Sequence, residues 1–546
     1  MHAPLPRPSD TLSHDTPAIG WLLGIAGAGG RVLLDREALA LLSGDADPVL
    51  AQAGQVATPV KLRHGDRWIV GSIRSLTLDP AQDAAAIAAE IELMGEAMRN
   101  PETGELYGFR RGVTAYPVPG STVHAVSVAE LAAIHGQRHA TTVRIGTVHP
   151  GRSVPAMLAV DALLGRHFAM LGSTGTGKST ATALILHRIC ALAPLGHVVM
   201  IDPHGEYARA FSDRGEIHDV GNLRMPYWLM TFEEHAEMLL SAGPAERQAE
   251  VDILARCLLA ARMRNRAAAE LPRVTIDTPI PYLLSDLTAA IAQEMGKLDR
   301  AGDTAPYQRL KARIEEVKGD SRYAFMFSGM LVADTMAAFL GRILRMPGGS
   351  RPISIIDLSG VPSEVTSVVV AMLARMIFDH AIWSRPEDRR PVLMVCEEAH
   401  RYIPAHAERH SAAGRILSRI AKEGRKYGVS LGLVTQRPSD LAEGVLSQCG
   451  TIIAMRLNNE RDQAVVRAAM PEGGRGLLDT ISALRNREAI LCGEGVALPM
   501  RASLDTLDEA LCPASGDMTI TELWARPARG DAMLADTVAR WRGAGK

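Results

Sequence analysis

The residues Gly172-Ser173-Thr174-Gly175-Thr176-Gly177-Lys178-Ser179 fit the spacing G-x-x-x-x-G-K-S/T of a phosphate-binding loop. Glycine at these positions lets backbone N–H groups converge on phosphate oxygens. Lys178 can reach β and γ phosphates, and the Ser179 hydroxyl can hold Mg²⁺. Thr180 follows in a segment that reads as a helix, whose N-terminal end faces the anion. Gly172 to Thr180 is therefore the candidate nucleotide cradle, with ATP and Mg²⁺ as the implied ligands.

Two further strand ends bring chemistry to the same place. The apolar run Pro391 to Cys396 ends in Glu397 and Glu398. Ligands of open α/β sheets sit at the carboxyl edge of the strands. One carboxylate there can join the Mg²⁺ shell, and the other can orient or deprotonate water. Glu397 is assigned to the metal and Glu398 to the water. A second strand, Leu431 to Thr435, delivers Gln436, an amide suited to sensing the γ phosphate or positioning water. Between them, about Ser411 to Tyr427, lies a helix with Ile416, Leu417, Ile420 and Tyr427 on one face. Its other face is a stripe of Arg415, Arg419, Lys422 and Lys426, flanked by Arg425. Such a stripe is commonly a solvated face; the sharper reading sends Arg425 to a neighbouring subunit's ATP, where it neutralises transition-state charge. His406 and His410 lack the H-E-x-x-H order and a third ligand, so they are read as loop residues. Arg385, Arg389 and Arg390 are read as a solvated turn.

These residues need a scaffold. From about Val143, apolar strands alternate with helices: His167–Leu171, Val198–Asp202, Ile353–Leu358, Val392–Cys396 and Leu431–Thr435. That alternation predicts a parallel α/β sheet of the RecA-like P-loop kind, split into 143–228 and 346–500 by a helical insertion at 229–345 rich in Ala, Leu, Glu and Arg. Short β segments over 18–130 predict a small β-barrel, with the glycine run Gly24 to Gly30 as a turn. Residues 1–17 read as disordered, and 501–546 as a partly helical tail. In 546 residues, 59 basic and 61 acidic side chains leave a formal charge of −2, which excludes a general polycation. Six cysteines without a C-x-x-C pair exclude a disulfide framework or zinc ribbon. With no signal peptide and no uninterrupted apolar run of membrane length, a cytoplasmic protein with no membrane partner is expected.

Taken together, the motifs resemble the HerA family of hexameric DNA-translocating ATPases, within the wider HerA–FtsK group. The carrying residues are Leu164 to Phe168 leading into the phosphate loop, Asp202-Pro203-His204-Gly205-Glu206-Tyr207, Glu397-Glu398-Ala399-His400, Lys422 to Gly428, and Thr435-Gln436-Arg437-Pro438. Phe109 to Val113, with Tyr116-Pro117, resembles the end of the family's barrel. The resemblance implies a homohexameric ring with ATP at each interface and double-stranded DNA in the pore. It implies a docked partner, commonly a NurA-type nuclease, or in bacteria a sirtuin-like or other nuclease effector in phage defence. An ATP-gated scaffold and a conjugation or secretion ATPase are the alternatives. One departure stands out: many relatives place Asp where this chain has Glu397, which leaves open which glutamate is the base. His204, Glu206 and Arg166 receive no role.

Overall fold

The computed structural model describes all residues except 1–14, 79–85, 137–140, 241–242, 298–302, 328–332, 406–410, 471–474, 515–519, 528–529 and 543–546. The expected disordered N-terminus, except for its last residues, and the His406/His410 pair lie outside the described residues.

Seven strands form the N-terminal part: β1 (Ala18–Ala26), β2 (Gly29–Asp35), β3 (Pro59–His64), β4 (Arg67–Leu78), β5 (Ala86–Arg99), β6 (Leu106–Arg111) and β7 (Thr122–Ala125). Their order is β2-β1-β7-β3-β4-β5-β6, and an added β2–β5 pairing closes six of them into a barrel. Closure leaves those six strands no free edge. Alternation along the strands sends Ile19, Val32, Leu34, Val60, Leu62, Ile69 and Ile91 inward. The glycine run is the β1–β2 hairpin, with Gly27 at φ 59° making the turn.

The second sheet has eleven strands: β8 (Thr142–Val148), β9 (Pro155–Ala159), β10 (His167–Leu171), β11 (Val198–Asp202), β12 (Gly215–His218), β13 (Ile353–Asp357), β14 (Val392–Cys396), β15 (Val429–Thr435), β16 (Cys449–Met455), β17 (Glu488–Gly493) and β18 (Met500–Leu504). Their order is β12-β13-β11-β14-β15-β10-β16-β17-β18-β8-β9. β12 through β16 run parallel, while β17, β18, β8 and β9 extend the sheet antiparallel. The sequence reading foresaw the parallel set. It did not foresee that residues 142–159 fold as an edge hairpin, or that the chain beyond 500 adds β18 by pairing with β17 and β8.

The parallel strands β10, β11, β14 and β15 are buried along their whole length and mostly apolar, as cover on both faces demands. The helix Ser363–Trp383 is by length and composition able to cross a membrane, with a mean hydropathy of 1.6. Here it is a core helix: 72% of that apolar window is buried inside the protein. Between β12 and β13 the chain leaves the sheet as helices, including Phe232–Leu239, Pro244–Met263, Leu284–Met295, Ala305–Gly319 and Met336–Ile343. This insertion is fastened to the core by ions. Arg375, on the core helix, grips Glu234 at 2.9 and 3.0 Å and donates to the Leu229 carbonyl at 2.7 Å.

Barrel and ATPase sheet are joined by Arg111 at the end of β6. Its guanidinium donates to the carbonyls of Gly493, Val496 and Ala497, at 2.9, 2.7 and 2.5 Å, in the β17–β18 connection.

Candidate active site

The site is built by three adjacent strands. β15 lies between β14 and β10, all parallel, so their carboxyl ends open on one edge. β10 delivers the phosphate loop, β14 delivers Glu397 and Glu398, and β15 delivers Gln436.

The loop is shaped for close approach. Gly175 and Gly177 have φ of 76° and 98°, the left-handed region that favours glycine. A Cβ on Gly172 would lie 2.8 Å from Met455 Cβ and 3.0 Å from Thr176 Oγ1. Helix Lys178–Leu192 starts at Gly177 with no side-chain cap, so its first N–H groups are free for an anion. Lys178 is 8% exposed and folds its Nζ back to the Ser173 carbonyl at 3.1 Å. Burial lowers its pKa, opposed by Glu397, Glu398 and Glu206.

The acids surround the lysine. Glu397 is 5% exposed, and burial raises its carboxyl to about 8 against the Tyr207 hydrogen bond, which pulls it down. The Tyr207 hydroxyl donates to Glu397 Oε2 at 2.6 Å. Ser179 Oγ donates to Glu206 Oε2 at 3.2 Å. The turn that aims Glu206 and Tyr207 is held by the fully buried Asp202, which accepts the backbone N–H groups of His204, Gly205 and Tyr207 at 3.2, 2.9 and 2.9 Å. Glu398 has φ 51° and ψ 46°, a left-handed backbone uncommon for a residue other than glycine. Gln436 accepts a hydrogen bond from the Thr174 hydroxyl.

The structure thus brings together Gly172 to Thr180, Glu397, Glu398 and Gln436. It does not bring Arg425 to them. Helix Ala412–Tyr427 ends at Gly428, where β15 begins, so Arg425 sits at the amino edge of the sheet. Seven residues of β15 separate the two edges, a span of about 23 Å. Within the basic stripe, Arg415 pairs with Glu233, and Arg419 reaches Glu423 at 3.4 Å while lying over Phe378. Lys422, Arg425 and Lys426 are exposed. Arg389 is more than part of a solvated turn: its guanidinium lies over Tyr427 and donates to the Lys426 carbonyl at 3.4 Å. Arg166 pairs with Glu494 at 2.7 Å, outside the cradle.

Sequence reasoning gave no role to Glu206 or Tyr207, although the Asp202 to Tyr207 run had been singled out. It also missed the tail's return. The Ala514 N–H donates to the Glu206 carbonyl at 2.8 Å, and Arg209 holds Glu509 at 3.1 Å.

These donors fit nucleotide and metal. Among the described residues no group of three His, Cys, Asp or Glu side chains forms a protein-only metal cage. That suits Mg²⁺, which is commonly held by one or two protein ligands together with phosphate oxygens. Ser179 and Glu397 would hold it, Lys178 would meet the phosphates, and Glu398 and Gln436 would be left to orient water. When bound, the metal supplies charge neutralisation across the β and γ phosphates.

Fold and site define an ATP-hydrolysing P-loop enzyme. Residues 143–377 match the family model described as "Helicase HerA, central domain". The DNA double-strand break repair helicase HerA of Pyrococcus furiosus is 28% identical over 479 residues, covering 79% of this chain and 82% of its own. The probable DNA double-strand break repair helicase HerA of Methanocaldococcus jannaschii is 29% identical over 407 residues, covering 67% and 76%. VirB4 of Thermoanaerobacter pseudethanolicus, at 14% identity, shares the fold with a TM-score of 0.50 over 68% of this chain and 99% of that one. Over residues 143–377 the chain is therefore similar to the central domain of HerA helicases, and over most of its length to helicase relatives at 25–29% identity.

Proposed function

We propose that this protein is a motor that couples ATP hydrolysis to movement along double-stranded DNA. The observation that carries the reading is the division of the catalytic set. Lys178, Ser179, Glu397, Glu398 and Gln436 share one sheet edge, while the arginine the motif supplies, Arg425, stands exposed at the other. With Arg425 as part of the site, a second copy has to supply it, and a ring of six with ATP at each interface would satisfy every site at once. The kinship to HerA helicases supports DNA as the substrate.

Within one site, Lys178 balances phosphate charge, Glu397 holds the metal with Ser179, and Glu398 takes the proton of the attacking water. Gln436 fixes that water relative to Thr174. A nuclease or sirtuin-like effector would dock on the ring. The working context is the cytoplasm, in DNA end processing or phage defence.

The test is ATP turnover by the full chain with and without linear duplex DNA. Stimulation by DNA, loss of all turnover in Lys178→Ala, and an assembly larger than a monomer by native mass measurement are expected. Turnover indifferent to every DNA, with or without a partner, would sink the motor. Normal turnover in Lys178→Ala would overturn the site.

A further inference from the structure

The short turn Ala399–Arg401 after β14 swings His400 toward the end of β15. His400 Nδ1 lies 2.9 Å from Thr435 Oγ1 and 3.2 Å from Glu398 Oε2. The two contacts are not equivalent. The first is a hydrogen bond. In the second the ring is out of line, and Glu398 Oε2 stays buried with no hydrogen-bond partner. One imidazole nitrogen carries at most one proton, so it serves one of these partners well at a time.

The far side of the histidine is connected to the phosphate loop. Thr435 is fully buried, and its Oγ1 also accepts the Arg437 N–H at 3.0 Å. Its chain neighbour Gln436 accepts from Thr174, in the loop itself. A path of contacts therefore runs from Glu398 through His400 and Thr435 to Gln436 and Thr174. Glu398 and Gln436 follow the adjacent strands β14 and β15, and His400 is the side chain that links the two strand ends. The left-handed backbone at Glu398 makes the tight turn that sets the acid beside His400.

We propose that His400 is a positioning residue for hydrolysis, a tether whose Nδ1 passes between Thr435 and Glu398 as Gln436 shifts on and off Thr174. With Nδ1–H on Glu398 Oε2, the buried carboxylate oxygen gains its missing donor, and the other oxygen is turned toward the water. With Nδ1 on Thr435, the carboxylate is unconstrained and turnover is idle. His400 thereby makes the base answer to what the phosphate loop holds. The proposal rests on the reading of Glu398 as the base.

The experiment uses the full-length protein with His400→Ala, His400→Asn, His400→Gln and Glu398→Gln. Turnover and equilibrium binding of a fluorescent ATP analogue are measured for each. Loss of an outer partner that orients a reactive group costs about 10- to 100-fold. His400→Ala should lower kcat by that factor and leave KM and nucleotide affinity unchanged. His400→Asn, whose amide can stand in for Nδ1, should recover most of the loss, and His400→Gln should not. Independently of turnover, ¹⁵N-histidine labelling of nucleotide-free protein gives a His400 signal, identified by its disappearance in His400→Asn. That signal should move in both Thr435→Val and Glu398→Gln. Full kcat in His400→Ala beside an inactive Glu398→Gln would overturn the tether while sparing the base, as would equal losses in the Ala and Asn variants. An active Glu398→Gln would instead overturn the base. The tether falls with it, because it acts through Glu398; with the base intact, a His400 signal indifferent to both substitutions overturns the tether alone.

Discussion

Without metal or nucleotide, burial favours the neutral form of Glu397, and the cost of burying its charge can be recovered by substitution. Its ordinary carboxyl value of 4.5 is raised to about 8, chiefly because the side chain is buried. A carboxyl whose folded pKa exceeds its unfolded pKa binds more protons when folded. Its contribution to stability is whole below about 4.5 and is lost as the pH rises through about 8. Each pH unit between the two values is worth 1.36 kcal/mol, so the full loss is about 5 kcal/mol. At pH 6 about 2 kcal/mol has gone, and by pH 8.5 nearly all of it.

Glu397→Gln keeps an acceptor for the Tyr207 hydroxyl and never ionises. The nucleotide-free variant should be more stable than the parent at both pH values, by about 3 kcal/mol more at pH 8.5 than at pH 6. For a chain of this size that is a difference of about 3 °C in melting temperature. The assay is thermal unfolding at one scan rate, parent and variant side by side at the two pH values, without nucleotide or metal. A gain that is equal at pH 6 and pH 8.5, or a variant less stable at the higher pH, would refute the reasoning. The same substitution should abolish turnover, so stability and activity move in opposite directions at this residue.

Two other predictions concern ions held in fixed contacts. Lys61 and Glu130 form an ion pair inside the barrel part, 0% and 2% exposed, with Lys61 Nζ 4.1 Å from the Trp68 ring centre. Lys61→Met leaves Glu130 buried without its cation and should cost about 3–5 kcal/mol in denaturant titration, most of it recovered in Lys61→Met/Glu130→Leu; a double variant as unstable as the single would count against the pairing. Arg111→Ala removes three hydrogen bonds to carbonyls of the β17–β18 connection and should cost about 2 kcal/mol, with earlier protease cleavage between barrel and ATPase sheet. An unchanged digestion pattern would mean that other contacts hold the barrel.

What was legible in the sequence was local. The phosphate loop, the carboxylates closing an apolar run and the amide closing another each occupy a few consecutive residues, and their strand context predicts a common edge. Contacts across long separations were not legible. Tyr207 meets Glu397 over 190 residues, and β18 finds β8 from the opposite end of the core. A tyrosine after a strand is usually core packing, and no periodicity says which carboxylate it will reach. Nor does anything in Cys396-Glu397-Glu398-Ala399 announce a left-handed glutamate. That conformation follows from the turn that points Ala399 and Tyr402 into the core while the two acids face the cradle.

The position of Arg425 shows where a single chain stops being a complete enzyme. The helix that carries it is bound to its place at both ends. Ser411 caps its start, the Ala412 N–H donates to Glu237 at 2.7 Å, and Arg415 pairs with Glu233. Its last turn closes through Gly428, whose N–H reaches the Arg425 and Gly424 carbonyls. Its inner face, Leu417 and Ile420, is buried in the main core, and Tyr427 packs edge-on against Phe378. A helix fastened in this way does not unwind to carry Arg425 across the sheet to its own cradle. Either Arg425 serves the nucleotide of another copy or it serves none. Mixing decides between them: an Arg425→Ala chain that binds ATP but does not turn it over should regain activity when combined with a Lys178→Ala chain, because each supplies what the other's interface lacks. Two inactive proteins that stay inactive on mixing, while assembling normally, would remove Arg425 from the site altogether.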